Sequence, residues 1–130
     1  MMTGTPEDYI AYRISKSEET FEDAKLLAEN ERWNSCVNRL YYSVYYLVSA
    51  LLSKNGIKAT THNGVRQQFS LHFVKDGKAS AEFGKLYSNL FRWRQESDYA
   101  DFIDFDKETI LPLISNVSDF IKSVKLLLGS

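Results

Sequence analysis

The residues best suited to chemistry lie in the segment FRWRQESDYAD, which begins at residue 91. Three apolar residues and an arginine follow one another at spacings of four, three and four, on one line of a helix: Phe83, Tyr87, Leu90 and Arg94. Arg94 is therefore expected to point toward the core, and Arg92 almost the opposite way. A guanidinium directed toward a core needs a partner, since an unpaired buried charge is strongly destabilising. Asp98, four residues later, is within reach.

Two interpretations of Arg94 and Asp98 follow from this spacing. In the first, they form a buried or half-buried ion pair that fixes the register of the helix. In the second, Arg94 is held ready for a phosphate, and Asp98 keeps the guanidinium oriented. The spacing alone leaves both open, because structural ion pairs occupy such positions as well.

A second group of polar and aromatic residues lies on the helix predicted to begin at Trp33. Five residues fall within a sector about 80° wide when the helical period is applied: Ser35, Arg39, Tyr42, Tyr46 and Ser49. A solvated face usually carries lysine and glutamate, so this composition suits contact with a neighbouring helix, another subunit or a ligand. The pattern is compatible with simple helix packing and with a binding face.

Several kinds of catalytic site are missing from the sequence. It contains no G-x-G-x-x-G, no P-loop and no H-E-x-x-H. His62 and His72 lack the clustered carboxylates or cysteines of a metal site, so we expect no metal and no cofactor. Cys36 is interpreted as a small core residue rather than a nucleophile. His62, in the segment THNG, is interpreted as a loop or cap residue that is still available for binding.

The periodicity of the apolar residues predicts helices that would position these groups, and no strand. The first helix begins at Thr5, a capping residue before Pro6, and ends near Asn30. The second has the clearest pattern and runs from Trp33 to a stop at Gly56.

Three further helices follow along the chain. A short third helix is expected over about residues 64–74, and a fourth over about residues 80–98. Asp104 or Asp106 would cap a last helix that reaches Leu128. Pro112 is expected to kink this last helix near its start. The predicted fold is all-α: an antiparallel helical bundle of four long helices plus one short helix, in a single domain over residues 1–130.

Composition sets limits on the class of function. The chain has 130 residues, of which 44% are hydrophobic, and a formal net charge of −1, so any nucleic-acid binding needs a local basic patch. Cys36 is the only cysteine, which rules out an intramolecular disulfide and favours a reducing compartment. The first residues do not have the pattern of a signal peptide, and no apolar run approaches ~18 residues. We therefore expect a cytoplasmic protein that does not enter a membrane.

Three motifs together resemble a little-characterised prokaryotic branch of the HEPN domains. They are a small-x-x-x-R-x-YY segment around Arg39 and Tyr42, an H-x-G beginning at His62, and an R-x-x-x-D-Y that joins Arg94 to Tyr99. Each motif is weak alone, but their order and separations are fairly specific. The resemblance covers roughly residues 15–128.

The resemblance implies a helical bundle that commonly forms homodimers. Many HEPN proteins are metal-independent endoribonucleases, often toxins paired with a minimal nucleotidyltransferase antitoxin. Their active site uses an R-x(4-6)-H motif across a dimer cleft, and Arg94 matches its arginine. No histidine follows Arg94 in the sequence, and Asp98 and Tyr99 stand where the motif histidine would be expected. An ionised aspartate is a poor acid or base near neutral pH, and tyrosine, with an ordinary pKa of about 10, is rarely a base.

These observations favour a HEPN-like helical module that is non-catalytic or weakly catalytic and binds nucleotide, RNA or a minimal nucleotidyltransferase partner. The alternative is a metal-independent endoribonuclease toxin, with Arg94, Asp98 and Tyr99 as candidate catalytic residues. A third interpretation, an assembly scaffold in which Arg94 and Asp98 are structural, is also compatible with the sequence. The candidate binding residues are Arg39, Tyr42, Tyr46, His62 and Arg94, and one pocket is expected to combine Arg39 and Tyr42 with Arg94 and Asp98.

Overall fold

The computed structural model describes residues 4–99 and 104–129, apart from the side chain of Tyr99. Within these ranges the chain forms five α-helices and no strand. Their bounds are α1 Pro6–Glu29, α2 Trp33–Lys54, α3 His62–Phe69, α4 Ala81–Tyr99 and α5 Lys107–Leu127. A turn of π-helix, Ser70–Val74, extends α3. The prediction of four long helices and a short one is confirmed.

The helices begin where side chains can satisfy the free backbone N–H groups of a first turn. Thr5 and Asp8 form the capping box expected for α1, each accepting a hydrogen bond from the other's backbone N–H. Thr61 caps α3, so that helix begins at His62, two residues earlier than predicted. Asp106, rather than Asp104, caps α5, and its hydrogen bonds with Thr109 lower the pKa of its carboxyl.

Glycine allows the chain to turn after α2 and before α4. Gly56 has a φ of 68° and Gly77 a φ of 80°, which is the left-handed region that other residues rarely adopt. Gly56 therefore confirms the predicted stop of α2, and Gly77 allows the turn before α4. Pro112 lies in the first two turns of α5, and the helix continues beyond it.

Contacts between side chains fix the directions of the long helices. The α1–α2 connection is short, and Ser17 meets Ser43 near the middle of both helices, as in an antiparallel pair. Asn34 at the start of α2 accepts a hydrogen bond from the backbone N–H of Phe105 just before α5, and Lys54 at the end of α2 donates to the carbonyl of Leu128. Helices α2 and α5 are therefore parallel to each other and antiparallel to α1.

Helix α2 is the centre of the bundle and packs against each of the other four helices. Nearly all of its apolar face is fully buried, from Val37 to Leu52. Cys36 belongs to this core, as predicted, and burial raises the pKa of its thiol to about 11. The buried thiol is therefore protonated at neutral pH. No helix in the described ranges is long and apolar enough to cross a membrane.

Two reciprocal hydrogen bonds join α1 to α2 inside the core. The Ser17 hydroxyl donates to the carbonyl of Ser43 at 2.7 Å, and the Ser43 hydroxyl donates to the carbonyl of Ser17 at 3.0 Å. Both side chains are fully buried. Small residues at this position let the two helices approach closely, and the paired hydroxyls are satisfied without water.

Replacing Ser17 with alanine should lower the free energy of unfolding by about 0.5–1.5 kcal/mol, the usual net contribution of a hydrogen bond. Urea denaturation would measure this loss. The two hydroxyls also contact each other at 3.4 Å, and either single variant removes that shared contact. The double variant Ser17→Ala/Ser43→Ala should therefore lose less than the sum of the single variants. The exposed Ser35 on the same helix provides the control, and Ser35→Ala should stay within about 0.5 kcal/mol of the wild type. Strict additivity would contradict the coupling.

Candidate functional site

Four tyrosines on two successive turns of α2 form an aromatic surface with a histidine from α3, in which the Tyr41 ring is buried and the other four rings are partly exposed. The rings are those of Tyr41, Tyr42, Tyr45, Tyr46 and His62. The His62 ring stacks on Tyr45 with a centroid separation of 4.3 Å and an interplanar angle of 16°. Tyr41 meets Tyr42 edge to face at 5.0 Å. Adjacent aromatic residues on one helix thus create a continuous patch of rings.

Arg94 lies against this surface from α4, as its position in the sequence predicted. Its guanidinium carbon is 4.9 Å from the centre of the Tyr41 ring and 5.7 Å from that of Tyr42. Nη1 donates a hydrogen bond of 3.1 Å to the Tyr42 hydroxyl. The Arg94 side chain is 14% exposed, whereas that of Arg92 is 57% exposed. The structure therefore brings Arg94 and Tyr42 together on one side of the bundle.

The ion pair between Arg94 and Asp98 is present but loose. Nη1 and Oδ2 are 3.7 Å apart, which is too long for a hydrogen bond. The Asp98 side chain is 38% exposed, so water weakens the attraction. Nε of Arg94 is buried and has no hydrogen-bond partner among the residues that the structure describes. Asp98 alone therefore leaves part of the guanidinium unsatisfied.

Three more arginines surround the same rings, and together with Arg94 and the five rings they form what we call the arginine–tyrosine cluster. The guanidinium of Arg39 lies 5.2 Å from the Tyr42 ring, and that of Arg13 lies 5.4 Å from the Tyr46 ring. Arg66 lies 4.9 Å from the ring of Phe91, which in turn contacts Tyr41. Cations over aromatic faces are attracted to the ring electrons, so these contacts hold the guanidinium groups in place.

The cluster is locally cationic although the chain as a whole is not. Arg39 donates to the side-chain amide oxygen of Asn38, and Arg66 to that of Asn63, so both are paired with neutral groups. Within the described part of the chain, Asp98 is the one carboxylate within 4 Å of any of the four arginines. Four guanidinium groups facing one carboxylate make this surface attractive to anions.

A hydrogen bond of 2.7 Å joins the Tyr41 hydroxyl to Nδ1 of His62. The Tyr41 ring is completely buried, and burial raises the pKa of its hydroxyl well above the ordinary value. Burial also lowers the pKa of His62 below 6.5, and the nearby charges of Arg94 and Arg13 lower it further. His62 is therefore neutral at pH 7, and its Nδ1 is occupied by the hydrogen bond with Tyr41.

Of the residues predicted to bind a ligand, all five lie in the cluster: Arg39, Tyr42, Tyr46, His62 and Arg94. The other two residues of the polar face on α2, Ser35 and Ser49, lie outside the cluster. Ser35 is exposed near the start of the helix, and Ser49 is buried closer to its end. The side chain of Tyr99, a candidate catalytic residue, lies outside the described residues. In the described ranges no three residues among His, Cys, Asp and Glu are grouped as metal ligands would be.

Sequence reasoning missed four members or neighbours of the cluster: Tyr41, Tyr45, Arg13 and Arg66. Tyr41 is the first tyrosine of the R-x-YY motif, but its apolar neighbours in the sequence give no sign of its polar contact with His62. Arg13 and Arg66 lie on two other helices, and their meeting depends on how α1 and α3 pack on α2. A signal for Tyr45 was available, since it lies one turn after Tyr41 and Tyr42 on the same helix.

Comparison with known proteins identifies relatives over nearly the whole chain. The family model described as HEPN domain matches residues 10–127. A UPF0332 protein of Thermotoga maritima is 38% identical over 122 residues, which cover 94% of this chain and 92% of that protein. A protein of Methanocaldococcus jannaschii named "Putative toxin" is 30% identical over 112 residues, 86% of this chain and 76% of its own length. The resemblance drawn from the sequence motifs is confirmed.

The low pKa of His62 gives a test of the cluster's electrostatics. Removing the charge of Arg94 with Arg94→Gln should raise the pKa of His62 toward 6.5, because a neighbouring cation disfavours the imidazolium. Arg92→Gln removes the same charge from the outer face of the same helix and should leave the His62 pKa unchanged. Titration of the imidazole signals by NMR, assigned with His62→Asn, measures both. Equal shifts in the two variants would contradict the arrangement.

The same shift predicts how stability depends on pH. Since the pKa of His62 is lower in the folded state, the unfolded chain binds the proton first as pH falls below about 6.5. The contribution of His62 is complete above that pH and is lost as pH falls through the folded pKa. In denaturation experiments, the free energy of unfolding of His62→Asn should therefore fall less than that of the wild type as pH decreases from about 6.5.

Proposed function

This chain belongs to the HEPN domain family, and from that premise we propose that its arginine–tyrosine cluster binds the phosphate groups of RNA. The proposal gives Arg94 the central role, with Tyr42 and His62 beside it as hydrogen-bonding groups. Binding rather than cleavage is the principal activity, because no histidine follows Arg94 in the position that the family's R-x(4-6)-H motif requires. Arg39 and Tyr46 extend the same surface.

The observation that carries the proposal is the incomplete pairing of Arg94. Its guanidinium has five N–H groups, and the described residues supply one hydrogen bond, to Tyr42, and one loose ion pair, to Asp98. A side chain placed only to fix helix register would gain more from a direct, two-bond pair with its carboxylate. A phosphate brings the additional acceptor oxygens that this arginine lacks. The half-exposed Asp98 then serves to orient the guanidinium.

The aromatic rings favour a nucleic acid over a simple anion. Unpaired bases stack on exposed tyrosine and histidine rings, and arginine guanidinium groups bind the linking phosphates. The cluster offers both kinds of group within one continuous surface. RNA is preferred over DNA here because the family resemblance implies proteins that act on RNA.

A second function, metal-independent ribonuclease activity, is favoured by the position of His62. The histidine that is missing from the motif would supply acid–base chemistry, and His62, although it precedes Arg94 in the sequence, belongs to the same cluster. Its pKa below 6.5 leaves a neutral imidazole, and in the tautomer in which Nδ1–H donates to the Tyr41 oxygen, Nε2 can accept a proton from a ribose 2′-hydroxyl. The relatives named as toxins agree with such an activity.

We also propose that the protein forms a homodimer and pairs with a minimal nucleotidyltransferase. Both follow from the family resemblance. The exposed ring of Tyr12 on α1 would suit such an interface. Light scattering at micromolar concentration tests the dimer, and a monomer would count against it.

Binding to a fluorescent single-stranded RNA tests the principal function. Arg94→Gln should weaken binding by about 10-fold or more, the scale of a charge-assisted pair of hydrogen bonds to phosphate. Arg92→Gln carries the same change of charge on the outer face of α4 and should bind almost as well as the wild type. Equal affinities for the wild type and Arg94→Gln would refute the proposal.

Incubation of the same RNA with excess chelator separates binding from cleavage. If the principal proposal holds, the wild type binds the RNA and leaves it intact. Cleavage that persists with chelator and is lost in both Arg94→Gln and His62→Asn, but not in His72→Asn, would establish the second function instead. His72→Asn is the matched control because it removes the other histidine of the chain.

A further inference from the structure

A groove of about 610 Å³ lies beside the cluster, between the start of α1 and the loop that follows α2. Its walls include Tyr9, Arg13, Tyr45, Ile57 and Lys58. None of its described lining residues is acidic, while Arg13 and Lys58 are cationic, although the chain as a whole has a net charge of −1. The volume is within the range of ligand-binding clefts, which is roughly 300–1,000 Å³.

Arg13 is held at the wall of this groove by aromatic rings rather than by a carboxylate. Its guanidinium carbon is 5.0 Å from the centre of the Tyr9 ring and 5.9 Å from that of Tyr45. Nε of Arg13 is buried and has no hydrogen-bond partner among the described residues. Among the residues that the structure describes, no carboxylate lies within 4 Å of Arg13. Its charge is therefore not neutralised by an ion pair and is free to attract an anion.

Tyr45 connects the groove to the proposed phosphate site. The Tyr45 ring stacks on the His62 ring, with their centroids 4.3 Å apart, and it also lines the groove. His62 in turn contacts the Tyr41 and Tyr42 rings that lie under Arg94. Tyrosine and histidine rings thus run without interruption from one arginine to the other.

This arrangement suits a strand whose bases are unpaired. Both faces of a base are covered by its neighbours in a duplex, so only a single strand can present a base to Tyr9 or Tyr45. A cationic groove that continues along a row of aromatic rings is the arrangement that binds single-stranded nucleic acid without sequence readout. A free mononucleotide would use only one of the two arginines.

We propose that the groove between α1 and the α2–α3 loop binds a second nucleotide of single-stranded RNA, with Arg13 and Lys58 on its phosphate and Tyr9 or Tyr45 stacked on its base. The strand then runs from Arg94 across His62 and Tyr45 to Arg13. This inference rests on the proposed function, because it extends the phosphate site at Arg94 to a neighbouring nucleotide. It specifies the ligand as single-stranded RNA at least two nucleotides long.

Fluorescence anisotropy with a labelled ten-residue oligouridylate tests the groove, with Arg92→Gln again as the control. Arg13→Gln should weaken binding by about 10-fold, the scale of one stacked base and its phosphate contact. The slope of log affinity against log salt should become shallower by about 0.7, the value for one phosphate contact on a single strand. Lys58→Gln, on the exposed loop, should reduce the slope in the same way and provides a variant that does not depend on the packing of Arg13.

The outcomes separate the groove from the phosphate site. Binding that is weakened by Arg94→Gln but unaffected by both Arg13→Gln and Lys58→Gln would overturn the groove and leave the proposed function standing. Absence of RNA binding by the wild type would overturn both. A duplex of the same length bound as tightly as the single strand would also overturn the groove, because a duplex has no free base for Tyr9 or Tyr45.

Discussion

The Tyr41 hydroxyl must keep a hydrogen-bond partner while its ring is completely buried at the centre of the bundle. His62 provides that partner at 2.7 Å, and so the start of α3 is held against α2. The same ring supports the guanidinium of Arg94 from α4. An unsatisfied buried hydroxyl costs about 1–3 kcal/mol, so a shift of α3 would be opposed by this contact. Three helices are thereby fixed around one tyrosine, and the candidate site forms where they meet.

Aromatic support explains how four arginines can lie close together in a protein with a net charge of −1. The described structure pairs Arg39 and Arg66 with amide oxygens and gives Arg94 a hydroxyl and a loosely placed carboxylate. Ring faces and neutral oxygens stabilise a cation without cancelling its charge. A surface built in this way keeps its attraction for anions, whereas a network of close ion pairs would lose it.

The separation of arginine and histidine onto different helices bears on catalysis. In the family motif only four to six residues separate the arginine from the histidine. Here Arg94 belongs to α4 and His62 to the first turn of α3, so their relation depends on how both helices pack on α2. The Tyr41 contact then decides which imidazole nitrogen is free. Binding requires only that the arginine and the rings be present, which is a weaker geometric demand than proton transfer.

The sequence by itself determined the helices, because apolar period, capping residues such as Thr5 and Asp106, and turns at Gly56 and Gly77 are all local features. It also determined that Arg94 points inward, since direction on a helix follows from spacing alone. The contact of His62 with Tyr41, the approach of Arg13 to Tyr46 and the loose fit of Asp98 to Arg94 were decided by the tertiary structure. Those contacts join residues far apart in sequence or depend on a few tenths of an ångström, and periodicity carries no information about either.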